Sequence, residues 1–370
     1  MVEQNMCPDE TGPLQTPITG EITEPLLDWY ASHARMLPWR ADADPYHIWI
    51  SEIMLQQTRI EAAIPYYQRF IAELPDIRSL AAVDDERLMK LWEGLGYYSR
   101  ARNLKKAAQE IVERYDGVMP ADYEALLGLS GVGTYTAGAI ASLAFGLPEP
   151  AVDGNVLRVL MRLTGDDSDI LRETTRKRVR AELRQIYPSG ARAAAMTQAL
   201  MELGQTVCIP HGTPRCRECP WGAFCRARAE DRTDALPIRN QKTKRTVAEK
   251  TVLLLHSEGK VAIRKREATG LLAGLWEFPS VDGFVEEEEV RTFLLSRGCM
   301  VKALEPAVRA THVFTHREWH MESYWVELER PVTEGGFLWV PETALDSQYA
   351  LPSAFRAFRE YLRMHLDCRK

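Results

Sequence analysis

Four of the seven cysteines lie in one short stretch, CIPHGTPRCRECPWGAFC, and their spacing could bind metal. They are Cys208, Cys216, Cys219 and Cys225. Four thiolates in one loop suit a tetrahedral zinc ion or a [4Fe–4S] cluster. Zinc loops more often contain two C-x-x-C pairs, whereas this loop has a single pair flanked by lone cysteines, so the spacing modestly favours iron–sulfur. The other three cysteines (Cys7, Cys299, Cys368) are scattered, and the clustering argues against a disulfide framework.

Two carboxylates stand in contexts that could support acid–base chemistry. Glu52 lies in IWISEIMLQQT, where apolar residues flank it on almost every helical face. Burial would raise its pKa and make it a general acid, although on position alone the default interpretation is a helix glutamate that reaches solvent. Asp153 lies in EPAVDGNVLRVLMRL, just before an apolar-periodic helix. An ordinary helix N-cap is a strong alternative for Asp153.

The stretch LSGVGTYTAGAI, residues 129–140, exposes backbone at the start of a predicted helix. Gly131 and Gly133 could turn tightly and present N–H groups near Thr134. Free amides at a helix N-terminus bind phosphate without reading sequence. A plain tight turn between helices is the commoner explanation of G-V-G taken alone.

Composition describes an ordinary soluble protein of two or three domains. The chain has 370 residues, 45% hydrophobic and 26% charged, with a formal net charge of −6. No apolar run is long enough to span a bilayer, and the acidic N-terminus does not resemble a signal peptide, so we expect a cytoplasmic, nucleoid-associated protein and no membrane partner. DNA binding would depend on local basic patches, such as 171–180 and 241–250, and on backbone amides.

Periodicity divides the chain into a helical part and a mixed part. Apolar residues recur at helical spacing from about Thr23 to Ala229. A polar, basic stretch at 231–249 is interpreted as a linker. From 250 onwards TVLLLHSEGKVAIRKR predicts two strands around a turn, EEEEVRTFLLSRG a helix, and THVFTHREWHMESYWVEL further strands. The fold class is therefore multidomain, all-α followed by α/β, with a disordered tail predicted at 1–22.

These motifs together resemble the helix-hairpin-helix DNA glycosylases, and among them the adenine DNA glycosylases of the MutY type. The resemblance is strong over about 25–280 and looser elsewhere. It rests on seven motifs in order: LPWR (37–40), SEIMLQQTR (51–59), WEGLGYYSRARNL (92–104), LSGVGTYTAGAI, AVDGNV (151–156), the four cysteines and GLLAGLWEFP (270–279).

The resemblance implies a fold and a cofactor. A helical glycosylase domain would occupy 23–230, with a six-helix module at about 30–147. An iron–sulfur lobe would combine the N-terminal helix with about 148–230 and hold one structural [4Fe–4S] cluster. A Nudix-like domain at 250–370 would recognise 8-oxoguanine. The first cysteine gap has seven residues, where the family usually has six, and a Pro- and Gly-containing loop can absorb one more residue.

The resemblance also implies a reaction: hydrolysis of the N-glycosidic bond of adenine opposite 8-oxoguanine or guanine in double-stranded DNA. The adenine would be flipped into a pocket. Glu52 would protonate the base at N7, and Asp153 would stabilise or trap the oxocarbenium ion, in parallel with two-carboxylate glycosidases. Asn155 and Tyr135 would orient these groups.

Tyr135 has a further meaning in this family. The related endonuclease III type has a lysine at this point that forms a Schiff base with the sugar and cleaves the strand. A phenol cannot form one, so the sequence predicts a monofunctional enzyme.

Further residues carry over as DNA contacts. They are Trp39, Arg40, Gln57, Thr58, Leu95, Gly96, Tyr97, Gly131, Val132, Gly133 and Gln198 in the helical part, and the loop Phe314, Thr315 and His316. Without the resemblance, the two glutamines would be assigned to helix surfaces, and Trp39 and Tyr97 to the core. Thr315 replaces the family's serine and adds a methyl group. No Nudix hydrolase motif is present in the C-terminal part, so we expect recognition there and not hydrolysis.

This interpretation expects a monomer. Two other functions compete with it. One is a bifunctional glycosylase/lyase of the endonuclease III type, against which Tyr135 and the long C-terminal domain argue. The other is a non-catalytic metalloprotein that scans or bends DNA. A scaffold would need neither Glu52 nor Asp153.

Overall fold

The computed structural model describes residues 14–240, 245–332 and 336–367, and within them the chain divides into two units. The first unit comprises the chain up to Ala82 and resumes at Asn103, and it is helical. The second combines Val83–Arg102 with the C-terminal part. The grouping differs from the predicted six-helix module, because 83–102 belong to the second unit by their contacts.

Amphipathic and buried helices make up the chain before the strands. They are α1 (Thr23–His33), α2 (Pro45–Leu55), α3 (Ile60–Glu73), α4 (Ile77–Ala82), α5 (Asp85–Leu91), α6 (Ser99–Tyr115), α7 (Tyr123–Leu127), α8 (Thr134–Phe145), α9 (Gly154–Thr164), α10 (Glu173–Gln185), α11 (Ala191–Thr206) and α12 (Arg226–Ala229). Of these, α5 and the first residues of α6 lie in the second unit. The helical prediction over 23–229 is thereby confirmed.

One core of the first unit is built on α1, α9, α10 and α11. Leu14, Ile18 and Ile22 also pack into it, with exposed fractions of 3%, 8% and 4%. The backbone N–H groups of Leu14 and Ile18 donate to the carboxylate of Glu182. The prediction of a disordered tail at 1–22 is therefore wrong for its last residues, because partners distant in sequence order them; residues 1–13 lie outside the described part.

The second unit contains one mixed sheet and helices on both of its faces. Its elements are β1 (Thr246–Ser257), β2 (Lys260–Lys265), β3 (Trp276–Glu277), β4 (Ser280–Asp282), α13 (Glu287–Leu295), β5 (Val301–Pro306), β6 (Ala310–Val313), β7 (Arg317–Leu328), β8 (Leu338–Pro341), α14 (Glu342–Ser347) and α15 (Arg356–Asp367). The order β3-β2-β1-β7-β5 forms the main path, with β1 and β7 parallel and in register from Thr246↔Arg317 to His256↔Glu327.

Alternation along β1 explains the two layers of helices. Val252 and Leu254 face a core that includes residues of α15, whereas Leu253 and Leu255 face a core that includes residues of α13. Successive side chains of a strand point to opposite faces, so an uninterrupted apolar run is buried on both sides. The predicted strand pair is confirmed by Ser257↔Lys260, although β1 begins inside the stretch interpreted as a linker.

Candidate active site and cysteine cavity

Glu52 is buried because nearly the whole of α2 is buried. Asp44 caps the helix by accepting from the N–H of Tyr46 at 2.8 Å, and Pro45 occupies its first turn. The residues that flank Glu52 are core residues, and Glu52 itself is 5% exposed. Burial raises the pKa of this carboxyl to about 7. A group with that pKa can hold and release a proton near neutrality.

Tyr135 lies in the first turn of α8 and donates its hydroxyl hydrogen to Oε2 of Glu52 at 2.5 Å. This bond favours the ionised carboxylate and opposes the effect of burial on the pKa of Glu52. The pKa of Tyr135 is raised far above its usual value, first by burial and then by the charges of Glu52 and Asp153. The phenol is therefore a neutral hydrogen-bond donor, which orients Glu52 without ionising.

Asp153 is the N-cap of α9, and its charge acts on Glu52. Its Oδ1 accepts from the N–H of Val156 at 2.8 Å, and its Oδ2 accepts from Nδ2 of Asn155 at 2.8 Å. Burial raises its pKa, these bonds oppose that rise, and its charge raises the pKa of Glu52. The Asp153 side chain thus caps α9 and also acts electrostatically on Glu52.

A hydrogen-bonded chain joins this carboxylate to the cysteine loop through Arg158, which the sequence reasoning missed. Arg158 Nη2 donates to Oδ1 of Asn155 at 3.0 Å and to the carbonyl of Gly204 at 2.7 Å. Its Nε donates to the carbonyl of Cys208 at 2.9 Å. The only signal in the sequence is its place one helical turn after Asn155. An arginine there would ordinarily be assigned to solvent, yet Arg158 is 7% exposed.

The four clustered cysteines line a single cavity. Apolar residues, including Val159, Leu163 and Trp221, form much of its wall. Arg162 donates through Nη1 to Sγ of Cys208 at 3.3 Å. No three His, Cys, Asp or Glu side chains in the described ranges surround a point where one metal ion could be held. The four predicted ligands thus line one cavity, although no three of them converge on one point in this way.

The glycine hairpin has the predicted backbone. Gly131 has φ +74°, and a Cβ there would approach Cβ of Asn103 to 2.5 Å, so only glycine fits. Gly133 is the N-cap of α8, which no side chain caps, and a Cβ on Gly133 would meet only open space. Val132 is buried between them. The buried Val132 side chain thus fixes the hairpin, whereas the backbone at Gly133 is exposed at the N-terminus of α8.

Two of the predicted DNA-probing residues have strained backbones. Gln57 has φ +60° and Tyr97 has φ +48°, values that non-glycine residues rarely adopt. Gln57 is exposed, and Tyr97 is 46% exposed. Of the two residues that precede Tyr97, Gly96 has φ +70° and Leu95 is buried. Large side chains held outwards on a strained backbone are typical of functional positions.

Other predicted contacts point inwards. Trp39 is 6% exposed and packs edge-on against Tyr67, so its ring lies in the core, as the alternative assignment expected. Arg40 is bound to a buried glutamate, Glu202. Gln198 accepts from the hydroxyl of Tyr30. Thr58 is half-buried just after α2 and donates its N–H to the carbonyl of Leu55 at 3.3 Å.

The predicted recognition loop is the turn between β6 and β7 in the second unit. The N–H of Phe314 donates to the carbonyl of Arg317 at 2.7 Å and closes the turn. The Phe314 ring packs edge-on against Trp319, whereas Thr315 and His316 are exposed. The Thr315 hydroxyl forms a hydrogen bond with the hydroxyl of Tyr97, which belongs to the same unit. Two predicted lesion contacts therefore meet directly.

Comparison with known proteins agrees with these features. Residues 50–189 match the model of the HhH-GPD superfamily of base excision DNA repair proteins, and residues 251–361 match that of the NUDIX domain. The adenine DNA glycosylase of Buchnera aphidicola (subspecies Acyrthosiphon pisum) is 32% identical over 82% of this chain and 85% of its own length. The human adenine DNA glycosylase is 32% identical over 91% of this chain and 73% of its own. The chain belongs to the adenine DNA glycosylase family.

Among solved structures, a thermostable thymine-DNA glycosylase is similar with a TM-score of 0.52 and 27% identity, over 57% of this chain and 96% of that one. This adenine DNA glycosylase family member thus shares the helical fold with an enzyme that is named for another base. Within its described residues, none of the helices combines the length and apolar character needed to span a bilayer.

Proposed function

We propose that this protein hydrolyses the N-glycosidic bond of adenine opposite 8-oxoguanine or guanine in double-stranded DNA, without cleaving the strand. The observation that most directly supports this proposal is the buried Glu52, whose pKa is raised to about 7. Its carboxylate accepts a hydrogen bond from Tyr135, and the charge of Asp153 acts on it. Family membership indicates that adenine is the nucleobase removed. The three side chains provide acid–base chemistry that suits this removal.

The first task of the site is to protonate the leaving group. A duplex hides the glycosidic bond, so the adenine must leave the stack before reaction. Protonated Glu52 donates its proton to N7 of adenine. The C1′–N9 bond then breaks, its electron pair stays on the protonated base, and neutral adenine leaves. A carboxyl with a pKa near 7 is well matched to this task at neutral pH.

The second task is to stabilise the sugar that remains. Positive charge develops at C1′, and the ionised Asp153 carboxylate stabilises it electrostatically. Asn155 fixes the orientation of that carboxylate through its Nδ2 bond at 2.8 Å. Water adds to C1′ and loses a proton, which leaves adenine and an abasic site. Tyr135 offers no amine, so no Schiff base forms.

DNA would be held by backbone and by probing side chains. The uncapped N-terminus of α8 behind Gly133 supplies amides for a phosphate. Gln57 and Tyr97 would enter the base stack, and the loop Phe314–His316 would read 8-oxoguanine.

Cys208, Cys216, Cys219 and Cys225 would hold one [4Fe–4S] cluster. The residues fit this group, because four thiols and an apolar wall surround one cavity, and four cysteines are its usual donor set. Bound there, the cluster supplies structural cross-linking of the loop. Iron and acid-labile sulfide in anaerobically purified protein would support this assignment. Stoichiometric zinc would contradict it and identify the loop as a zinc site. Cys216→Ser should lose the metal, whereas Cys299→Ser, which alters a buried cysteine of the second unit, should keep it.

The test is a single-turnover reaction on a duplex with one adenine opposite 8-oxoguanine, analysed with and without alkali. Breaks that appear only after alkali are expected. Breaks without alkali would mean lyase activity and refute the argument from Tyr135. No breaks in either sample, from metal-loaded protein that binds the duplex, would favour the scaffold or another lesion. Glu52→Gln should bind the duplex and produce breaks about 10³-fold more slowly than the wild type.

A further inference from the structure

Lys90 and Glu93 are charged, largely buried residues of the second unit that the proposed mechanism does not use. Lys90 lies near the end of α5 and Glu93 just after it, and their side chains are 12% and 17% exposed. Nζ of Lys90 donates to Oε2 of Glu93 at 2.6 Å. It also donates to the carbonyls of Leu345, at 3.3 Å, and Tyr349, at 3.0 Å. An ammonium has three hydrogen-bond donors, so each of them has an acceptor here.

These contacts join α5 to two helices at the end of the chain. Leu345 lies in the last turn of α14, where the carbonyl end of a helix attracts a cation. Oε1 of Glu93 accepts from Nη1 of Arg359, which lies on α15, at 2.9 Å. The same guanidinium also binds the carboxylate of Asp346 on α14. The Lys90–Glu93–Arg359 cluster therefore fixes the end of α5 against α14 and α15.

The chain that leaves this cluster forms the turn that carries Tyr97. Gly94, Gly96 and Tyr97 have φ values of +101°, +70° and +48°. Trp92, which lies between Lys90 and Glu93 in the sequence, is fully buried and donates from Nε1 to the carbonyl of Gly96 at 3.1 Å. A displacement of Trp92 would therefore move the peptide group that precedes Tyr97.

The far end of the Tyr97 side chain meets a segment that the cluster does not touch. The hydroxyl of Tyr97 forms a hydrogen bond with the hydroxyl of Thr315, in the turn between β6 and β7. This bond requires that α5 keep a fixed position against the sheet and its helices. Stability alone gives little reason for the cluster, since replacing a buried ion pair with apolar residues of similar volume is often neutral or stabilising.

The two hydroxyls suit the chemical difference between the two bases considered above. Relative to guanine, 8-oxoguanine has an added oxygen at C8 and a hydrogen at N7, and a hydroxyl can bind either as donor or as acceptor. A site built to hydrogen-bond such groups discriminates against an analogue that lacks them only if its own donors and acceptors are held in place.

We propose that Lys90 and Glu93 are positioning residues that determine specificity: by joining α5 to α14 and α15 they hold Tyr97 beside Thr315, and so favour 8-oxoguanine over guanine opposite the adenine. The inference rests on the proposed function for its consequence in base discrimination. Its physical basis is the set of contacts around α5, which is present in the DNA-free protein.

The experiment compares single-turnover excision of adenine from two matched duplexes, one with 8-oxoguanine and one with guanine opposite the adenine. In Glu93→Gln and in Lys90→Met the ratio of the two rates should fall by about tenfold, because a small displacement of a positioning group can cost that much. The rate opposite guanine should stay near that of the wild type. Lys90→Arg, which keeps the charge and the donors, should recover most of the ratio.

Glu86→Gln is the matched control. Glu86 also lies on α5 and binds a lysine of the C-terminal part, Lys265, at 3.0 Å, but both side chains are at least half exposed. Its ratio should equal that of the wild type. An unchanged ratio in Glu93→Gln and Lys90→Met, an equal loss on both duplexes, or the same fall in Glu86→Gln overturns the proposal. If Glu93→Gln does not fold, Arg359→Gln removes the same ion pair from α15, and an unchanged ratio there overturns it.

Hydrogen exchange of the backbone in DNA-free protein gives a readout independent of excision. The amides of residues 94–100 should exchange faster in Glu93→Gln than in the wild type, because the turn opens more often, and Glu86→Gln should leave them unchanged. Unchanged exchange in Glu93→Gln overturns the physical basis of the proposal. If the wild type excises no adenine from either duplex, the proposed function fails, while the exchange still tests whether the cluster holds the turn.

Discussion

Glu52 in the helical unit and Glu277 in the strand unit are equally hidden from solvent but differently partnered. Glu52 is 5% exposed and Glu277 is 2% exposed. Glu277 binds two guanidiniums, Arg264 at 2.8 Å and Arg266. Glu52 binds a neutral phenol, and none of the described cationic side chains lies within ion-pair distance of it.

The difference shows that burial by itself does not mark a catalytic acid. Buried charges in proteins are normally paired, and Glu277 obeys this rule because its role is structural: it ties β2 to β3. Glu52 lacks such a pair, so its pKa rises and its proton becomes available. The partner of each carboxylate therefore indicates its task.

The largest expected effect separates the two residues by activity. Glu52→Gln should lower the single-turnover excision rate by about 10³-fold, because the general acid is lost. Glu277→Gln should change the rate little once the variant is folded. Both rates would be measured on the same duplex with adenine opposite 8-oxoguanine. Comparable losses in the two variants would contradict the assignment of Glu52 as the acid.

Asp153 can be separated from an ordinary N-cap in the same way. Asp153→Asn keeps a capping side chain but removes the charge that stabilises the sugar, so we expect about a 10²-fold slower excision with little change in thermal stability. Asp122→Asn alters a cap that accepts from the N–H of Ala125 at 2.8 Å and should leave the rate unchanged. Equal rates for Asp153→Asn and the wild type would leave Asp153 as a cap only.

Stability should change in opposite directions at Glu52 and Glu277. The pKa of Glu52 is raised from 4.5 to about 7 in the folded state, so folding becomes less favourable as pH rises from 4.5 to about 7. At about pH 8, Glu52→Gln should therefore raise the free energy of unfolding by about 3 kcal/mol, and the gain should vanish below the unfolded-state pKa.

Glu277→Gln should lower that free energy by about 2 kcal/mol, less than for a fully buried pair, since the Arg264 and Arg266 side chains are 40% and 20% exposed. Urea unfolding at several pH values measures both variants. Destabilisation by Glu52→Gln at about pH 8 would show that the carboxylate is better satisfied than we infer.

The parts of the site that could be predicted from sequence are those with local causes. The apolar neighbours of Glu52 are its helix neighbours, the two glycines impose their own turn, and the cysteines lie in one loop. Each of these features needs only its own segment. The positive φ of Gln57 has no such signature, because an ordinary glutamine sits where the chain leaves α2.

The parts that could not be predicted depend on partners far along the chain. Arg158 and Glu202 would be placed in solvent by any rule for charged helix residues, but their partners lie at Cys208 and Arg40. Leu14 and Ile18 belong to a polar, Pro-rich segment, which is ordered because these two side chains pack into the helical core and Glu182 accepts their N–H groups. Tertiary pairing decided these cases, and periodicity cannot report it.

The smallest expected effect concerns the phenol that distinguishes Glu52 from a paired carboxylate. The hydroxyl of Tyr135 favours the ionised form of Glu52, so Tyr135→Phe should raise the pKa of Glu52 further and move the alkaline fall of the excision rate upwards by less than about one pH unit. Tyr30→Phe, which removes a hydroxyl bound to Gln198 instead, is the control and should leave the position of the fall unchanged. A downward movement in Tyr135→Phe would mean that the phenol stabilises the protonated acid, and Glu52 would then owe its raised pKa to its partner as well as to burial.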